Sequence, residues 1–226
     1  GDKEIEDKIK NHLEIAKKHN IKEIYLHGGE PLLHPDLNNI IRQSLKISNV
    51  TILSNGTLIN DKKARFLRQI EQDHNFELIF RISLDHYTDE KNDEIRGKGS
   101  FKKAVNGIEN LIRYGFNPII TAVNVWDEPI ESLHKGFFDL FSKINFDADE
   151  INLKIIPPVK YGEYKIYFGS YSENDIVTQD KMVNTNINKF DCSNSRVVTD
   201  NGIYACPLLI NDPRGKVGNK IGRAHV

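Results

Sequence analysis

A chain of 226 residues has room for one large domain or one and a half. Its 31 basic and 32 acidic residues leave a formal net charge of -1. They are scattered like solvated helix faces, which excludes the basic patch or stripe of a nucleic-acid binder. No apolar run approaches the roughly 18 residues of a membrane span, and the first residues show no signal-peptide pattern. Two cysteines, Cys192 and Cys206, are too few for a disulfide scaffold and suit a reducing cytoplasm.

The first helix is expected over residues 2–19, where Ile5, Ile9, His12/Leu13 and Ala16 recur at helical spacing and Asn20 is the stop. A strand over 21–26 then ends abruptly at His27-Gly28-Gly29-Glu30-Pro31. Without Cβ atoms, Gly28 and Gly29 are free to take positive φ and to lay main chain against a ligand. Glu30 adds a charged acceptor, and Pro31 fixes its φ and removes a donor. Such a turn suits a bound ammonium group; it equally suits an ordinary strand-to-loop turn. Asp36 is placed to cap a second helix with Leu37, Ile40, Ile41 and Leu45 inward. Residues 50–53 are the next strand, and Asn60 caps a third helix with Ala64, Leu67 and Ile70 on one face. Residues 78–85 are strand again. Ser100 is the expected cap of a fourth helix, whose core face is Phe101, Val105, Ile108 and Ile112. A strand over 118–125 precedes a fifth helix lined by Ile130, Leu133, Phe137, Leu140, Phe141 and Ile144, and residues 150–155 form the last clear strand before Pro157-Pro158.

Strand and helix alternate every 30 to 40 residues or so, which implies parallel strands joined by right-handed crossovers. Open doubly wound sheets and barrels both satisfy this pattern. The alternation within strands separates them. Arg81, Ser83 and Asp85 share one face of their strand, opposite Leu78, Phe80, Ile82 and Leu84; Asn152 and Lys154 oppose Ile151, Leu153 and Ile155. Strands covered by helices on both faces are apolar on both, whereas one polar face fits a wet lumen. By the same alternation Asp85, Asn124 and Lys154 point to one lumen end, where they either bind substrate or pair with one another. His27 and His34, seven apart, lack the spacing of a metal-ligand pair, and Trp126 reads as core or rim packing.

Four motifs in fixed order carry a family resemblance: Gly28-Gly29-Glu30-Pro31, Ile52-Leu53-Ser54-Asn55-Gly56-Thr57, Ile82-Ser83-Leu84-Asp85, and Arg96-Gly97 followed by Ser100-Phe101. Together they resemble the radical S-adenosylmethionine (SAM) enzymes over nearly the whole chain to about Pro213. The resemblance implies an α/β fold, a partial (β/α)6 TIM-like barrel missing its first strand, followed by a small α+β hairpin extension. It assigns cofactor contacts to Gly28, Gly29, Glu30 and Pro31 at the SAM amino group, to Ser83 at the ribose or carboxylate, and to Arg96 at the carboxylate, for which a guanidinium is the bidentate partner. Asp85 joins that set, and Asn55 either bonds the cofactor or shapes its own turn. The family's C-x3-C-x2-C loop, whose thiolates hold a [4Fe–4S] cluster, is missing, because no cysteine precedes Cys192. Either the chain is a truncated piece with that loop upstream, or it is a cluster-less relative. The expected boundaries are a core over 1–158, an extension over 159–220 and a non-native tail over 221–226.

After Pro158 the composition changes to an aromatic, polar stretch over 161–171. The Asp200-Asn201-Gly202 turn between 196–199 and 203–205 is a hairpin signal that brings Cys192 and Cys206 to one end. The arrangement resembles the opening of a SPASM or twitch extension, in a form one residue short between glycine and cysteine, and so implies ligands of an auxiliary Fe–S cluster. The residues alone fit as well a hairpin with two unrelated thiols, a disulfide, or half of a four-ligand zinc site. The resemblance implies reductive SAM cleavage to a 5′-deoxyadenosyl radical that takes hydrogen from a substrate. A flavodoxin or ferredoxin would supply electrons, a peptide or protein is the expected substrate, and no nucleic acid or membrane partner is expected. The other readings are a cluster-less SAM- or peptide-binding module and an unrelated barrel lyase using Lys154 as a Schiff base.

Overall fold

The computed structural model describes residues 2–160, 166, 168–175, 178–183, 185–186, 188, 190–210 and 212–219. The chain divides into two compact units, Asn20–Pro158 and Gly1–His19 together with Val159–Val226. In chain order the elements run from helix α1 (Asp2–Lys18) through β1 (Glu23–Leu26), α2 (Leu37–Ser44), β2 (Asn49–Ser54), α3 (Asp61–Gln72) and β3 (Leu78–Ser83). They continue with α4 (Asp89–Arg96), α5 (Ser100–Arg113), β4 (Ile119–Val123), α6 (Ile130–Lys143), β5 (Leu153–Ile156), β6 (Val197–Thr199), β7 (Gly202–Tyr204) and β8 (Lys216–Gly218).

In the unit of residues 20–158, the five strands form one all-parallel sheet in the order β1-β2-β3-β4-β5. Each strand lies beside its predecessor. Right-handed crossovers then carry every helix to one face, whereas a doubly wound sheet reverses its order to cover both. The sheet is therefore the wall of a partial barrel, as expected. Val50, Ile52, Phe80, Ile82, Ile120 and Ala122 alternate onto the helix side, where they join one core with Ile41 and Leu45, Leu67 from α3, Ile108 and Leu111 from α5, and Phe137 and Phe141 from α6. At roughly 25 cal/mol per Å² of apolar surface removed from water, this burial is the main term holding helices to sheet. The other face keeps Tyr25, Ile79, Arg81, Ser83 and Lys154 partly or wholly exposed.

Four local expectations need correction. Helix α4 was not anticipated, because its sequence Asp-Glu-Lys-Asn-Asp-Glu-Ile-Arg has no apolar period and buries only Asn92. Ser100 is the first residue of α5, not its cap. Gly99 holds that position at φ +80, and Asp93 of α4 caps from a distance, accepting from the amides of Gly99 and Phe101 (2.8 Å) and from Ser100 Oγ (2.9 Å). Asp36 does precede α2, but its carboxylate accepts from the Asn39 side chain (3.3 Å), not from a helix amide. Asn152 is not a lumen residue. Residues Glu150–Asn152 form a 3₁₀ turn, where Asn152 closes a capping box with Asp149 and donates to Asn117 Oδ1 (2.6 Å) and Pro118 O (3.0 Å). The turn resets the alternation, so β5 starts at Leu153. Asn60 caps α3 as expected, accepting from the Lys63 amide at 2.8 Å.

The other unit contains α1, with Leu13 and Ala16 buried, and a three-stranded antiparallel sheet in the order β6-β7-β8. The expected hairpin is β6–β7, with Val197 opposite Tyr204 and Thr199 opposite Gly202. Strand β8 is an addition, and Gly202, at φ +136, lies so close to it that a Cβ would meet Lys216 Cε at 2.5 Å. Cys206 is a free, half-buried thiol at the start of the 3₁₀ turn Pro207–Leu209. The Cys192 side chain and the tail 221–226 lie outside the described residues.

Candidate functional site

Parallel strands end on a common rim, which is where βα barrels carry their chemistry. At the end of β1, His27, Gly28 and Gly29 are exposed. Neither glycine has the positive φ that the sequence allows. A Cβ added to either would meet nothing within 4 Å, so what the pair provides is bare main chain facing open space. Glu30 is extended (φ -141, ψ 109) and caps the 3₁₀ turn Pro31–Leu33, with Pro31 buried. Its Oε1 accepts from the Leu32 amide (3.1 Å) and from Ser54 Oγ (2.8 Å), and its Oε2 accepts from the Asn55 amide (2.8 Å). This carboxylate fastens the glycine turn to the end of β2. A carboxylate has about four acceptor positions, so one is left for a ligand. His34 accepts from the Asp36 amide (3.1 Å) and steadies the next turn.

Asn55 shapes its own turn: Oδ1 accepts from the amide and the hydroxyl of Thr57 (2.9 and 2.8 Å). Gly56 adopts φ +75, and α5 presses on it so closely that a Cβ on Gly107 would lie 2.2 Å from the Gly56 carbonyl oxygen. Ser83 ends β3 half-buried, opposite Thr121. Asp85, 1% exposed, does not stand free in the lumen. Its Oδ1 accepts from the Val123 amide (3.0 Å) and Arg96 Nη2 (3.2 Å), while Arg96 Nε lies 2.8 Å from Oδ2, near enough to pair as charges although its N–H is not aimed at that oxygen. The pair ties β3, β4 and α4 together. Asn124 closes the next loop, accepting from the Glu128 amide (3.0 Å) and donating to the Glu128 carbonyl (2.9 Å). Of the three residues expected at the lumen end, Lys154 alone is exposed.

Sequence reasoning missed the cluster beside this rim. His86, 1% exposed, takes the Thr88 amide on Nδ1 (3.0 Å), so Nε2 carries the proton and donates to Glu128 Oε1 (3.0 Å). Lys91 donates to the same oxygen and lies 5.5 Å over the Trp126 ring. The imidazole also stacks on Tyr87 with ring centroids 4.1 Å apart. Burial pushes His86 below its ordinary pKa of 6.5, against the raising effect of Glu128. Glu128 is itself held low: burial acts to raise it, but the bonds from Lys91 and His86 outweigh that. Only the isolated, non-periodic His86 and Trp126 hinted at this in the sequence.

Below the rim the lumen holds a cavity of about 280 Å³ lined by Glu23, Tyr25, Thr51, Ile79, Arg81, Ile119, Ile151 and Lys154. Glu23 accepts from Thr51 Oγ1 (2.6 Å) and the Tyr25 hydroxyl (2.9 Å). Arg81 donates to Thr121 Oγ1 at 3.3 Å.

The donors for an iron–sulfur cluster are not in this set. Residues 20–158 contain no cysteine, and among the described residues no three His, Cys, Asp or Glu side chains converge to hold a metal ion. The glycine turn does fit an amino-acid-like ligand, since it offers bare main chain beside a carboxylate with one acceptor position left. Also among the described residues, no helix is long and apolar enough to cross a membrane.

Known proteins are similar to this chain. The family model described as "Radical SAM superfamily" matches residues 1–134. A probable GTP 3′,8-cyclase of Archaeoglobus fulgidus is 30% identical over 163 residues, covering 69% of this chain and 52% of that protein. The mycofactocin maturase MftC of Mycobacterium ulcerans is 37% identical over 90 residues, 39% of this chain and 23% of that protein. The chain thus spans about half the length of curated cyclases that it matches. Among solved structures, native anSMEcpe with bound AdoMet and Cp18Cys peptide covers 96% of this chain and 70% of its own, with a TM-score of 0.62 at 15% identity, a likeness of fold. The chain belongs to the radical SAM superfamily, a family of iron–sulfur enzymes.

Proposed function

We propose that the parent protein of this chain cleaves SAM reductively and uses the resulting 5′-deoxyadenosyl radical to take hydrogen from a substrate. One electron from a flavodoxin- or ferredoxin-like donor breaks the C5′–S bond, methionine leaves, and a substrate C–H hydrogen passes to C5′. The observation that carries this reading is the glycine turn: exposed Gly28–Gly29 main chain at the rim, fixed by the three hydrogen bonds of Glu30. On this reading the Gly28 and Gly29 main chain and the remaining acceptor of Glu30 receive the SAM ammonium, a charge-assisted arrangement. Pro31 fixes the turn. The Asn55 side-chain Nδ2 and the Ser83 hydroxyl face the rest of the cofactor. Arg96 turns part of its guanidinium to the SAM carboxylate while Asp85 anchors the remainder. Residues 20–158 act as the barrel core, and the parent polypeptide supplies the [4Fe–4S] ligands that they lack.

The substrate reading is a peptide or protein, supported by the likeness to a maturase and to a peptide-bound fold neighbour. Cys192 and Cys206 belong in this reading to an auxiliary cluster, and a reducing cytoplasm suits both clusters. The test is anaerobic reconstitution of the parent protein with iron and sulfide, followed by SAM and dithionite. 5′-Deoxyadenosine and methionine in equal amounts are expected; a cluster-loaded protein that forms neither overturns the proposal.

A further inference from the structure

The lumen below the rim carries two cations that form no ion pair with any described residue. Arg81 is half-buried in the middle of β3, and among the described residues its guanidinium meets a single neutral partner, Thr121 Oγ1. It has five donors to offer. Lys154 stands exposed on β5 and pairs with none of the described residues. The register sets Thr121 beside Ser83 on one side and Lys154 on the other, on strands about 4.8 Å apart, while Arg81 lies opposite Ile119, two residues earlier, and reaches Thr121 through its side chain. Arg81 and Lys154 thus both line the cavity, with Thr121 orienting the guanidinium. The single acid lining the cavity, Glu23, is bonded to the hydroxyls of Thr51 and Tyr25 and forms an ion pair with neither cation, so the lining keeps one positive charge in excess. Ile79, Ile119 and Ile151 supply apolar wall. A partly buried charge is costly unless it is paired, so a guanidinium with no ion pair among the described residues is suited to an incoming anion.

The structure assigns this cavity, we infer, as the anion subsite of the substrate. A carboxylate or phosphate oxyanion is held between Arg81 and Lys154, with Thr121 steadying the guanidinium, and the carbon chain beside it packs on Ile79 and Ile119. Arg81 lies two residues before Ser83, so the anion sits about 7 Å down the strand from the rim. The substrate is therefore a molecule whose negative group and reacting C–H are separated by several bonds. The assignment rests on the cofactor reading of the rim.

The test titrates this chain with succinate, inorganic phosphate and pyrophosphate by calorimetry. Saturable binding of one class is expected, and the preferred probe shows whether the source is a carboxylate or a phosphate. Arg81→Gln and Lys154→Gln should each weaken it about tenfold, Arg81→Lys less, and the surface change Lys135→Gln not at all. Circular dichroism melts of each variant check folding, and Lys154, being exposed, serves as the variant free of packing effects. Binding weaker than about 10 mM for all three probes, or binding indifferent to Lys154→Gln and Arg81→Lys alike, overturns the subsite. Formation of 5′-deoxyadenosine by the parent protein is scored separately. Cleavage without anion binding removes the subsite alone, and anion binding without cleavage removes the cofactor reading and, with it, the assignment of this anion site to the substrate.

Discussion

Glu30 fastens the rim turn with one carboxylate. Its three bonds to Leu32, Ser54 and Asn55 reach across 25 residues of chain, and Ser54 is 3% exposed. Glu30→Ala leaves those donors without acceptors, at a cost of about 2–4 kcal/mol; urea unfolding measures it, and a loss under about 0.5 kcal/mol would show the latch to be dispensable. His86 gives the fold a pH dependence of defined sign. Its folded pKa is lowered, so the stability it contributes is full above its ordinary 6.5 and is lost as pH falls through the lower folded value. Protonation of Nδ1 would also break the bond from the Thr88 amide. The urea midpoint should fall as pH drops below 6.5, and His86→Gln should flatten that slope; an unchanged slope would remove His86 as the cause.

Two glycines show what position does to the same substitution. Gly107 of α5 backs onto the Gly56 carbonyl, main chain against main chain, with 2.2 Å where a methyl would go. Gly107→Ala should cost about 1–3 kcal/mol by overpacking and disturb the Asn55 turn with it. Gly28 faces open space at an ordinary φ. Gly28→Ala should therefore leave stability within about 0.5 kcal/mol and, on the proposed reading, weaken SAM binding in the parent protein about tenfold, as a methyl separates main chain from ligand. Paired denaturation and SAM titration of the two variants check the contrast. Equal effects on both readouts would show that the helix and the rim turn are not separate devices.

At the scale of the molecule, the parts legible in the sequence were those with a period. The alternation of Arg81 and Ser83 against Phe80 and Ile82 marked a one-sided strand, and the helical spacing of Ala64, Leu67 and Ile70 marked α3; the sheet order and core follow both. What lacked a period stayed hidden. Helix α4 is almost wholly charged, the 3₁₀ turn at Glu150–Asn152 shifted the register of β5, and strand β8 is three residues long. The candidate site was legible as a set of positions but not as a set of bonds. Asp85 and Arg96 meet across 11 residues, and His86 meets Glu128 across 42, pairings that no local pattern encodes.

The one-sided sheet has a consequence for descent. Along β3, Phe80 and Ile82 answer to the packing of helices, while Ile79, Arg81 and Ser83 answer to whatever occupies the lumen. The two sets interleave residue by residue yet face opposite sides of the sheet. A lineage can therefore rewrite one set while the other stays fixed, so that a new substrate is learned without the scaffold being relearned.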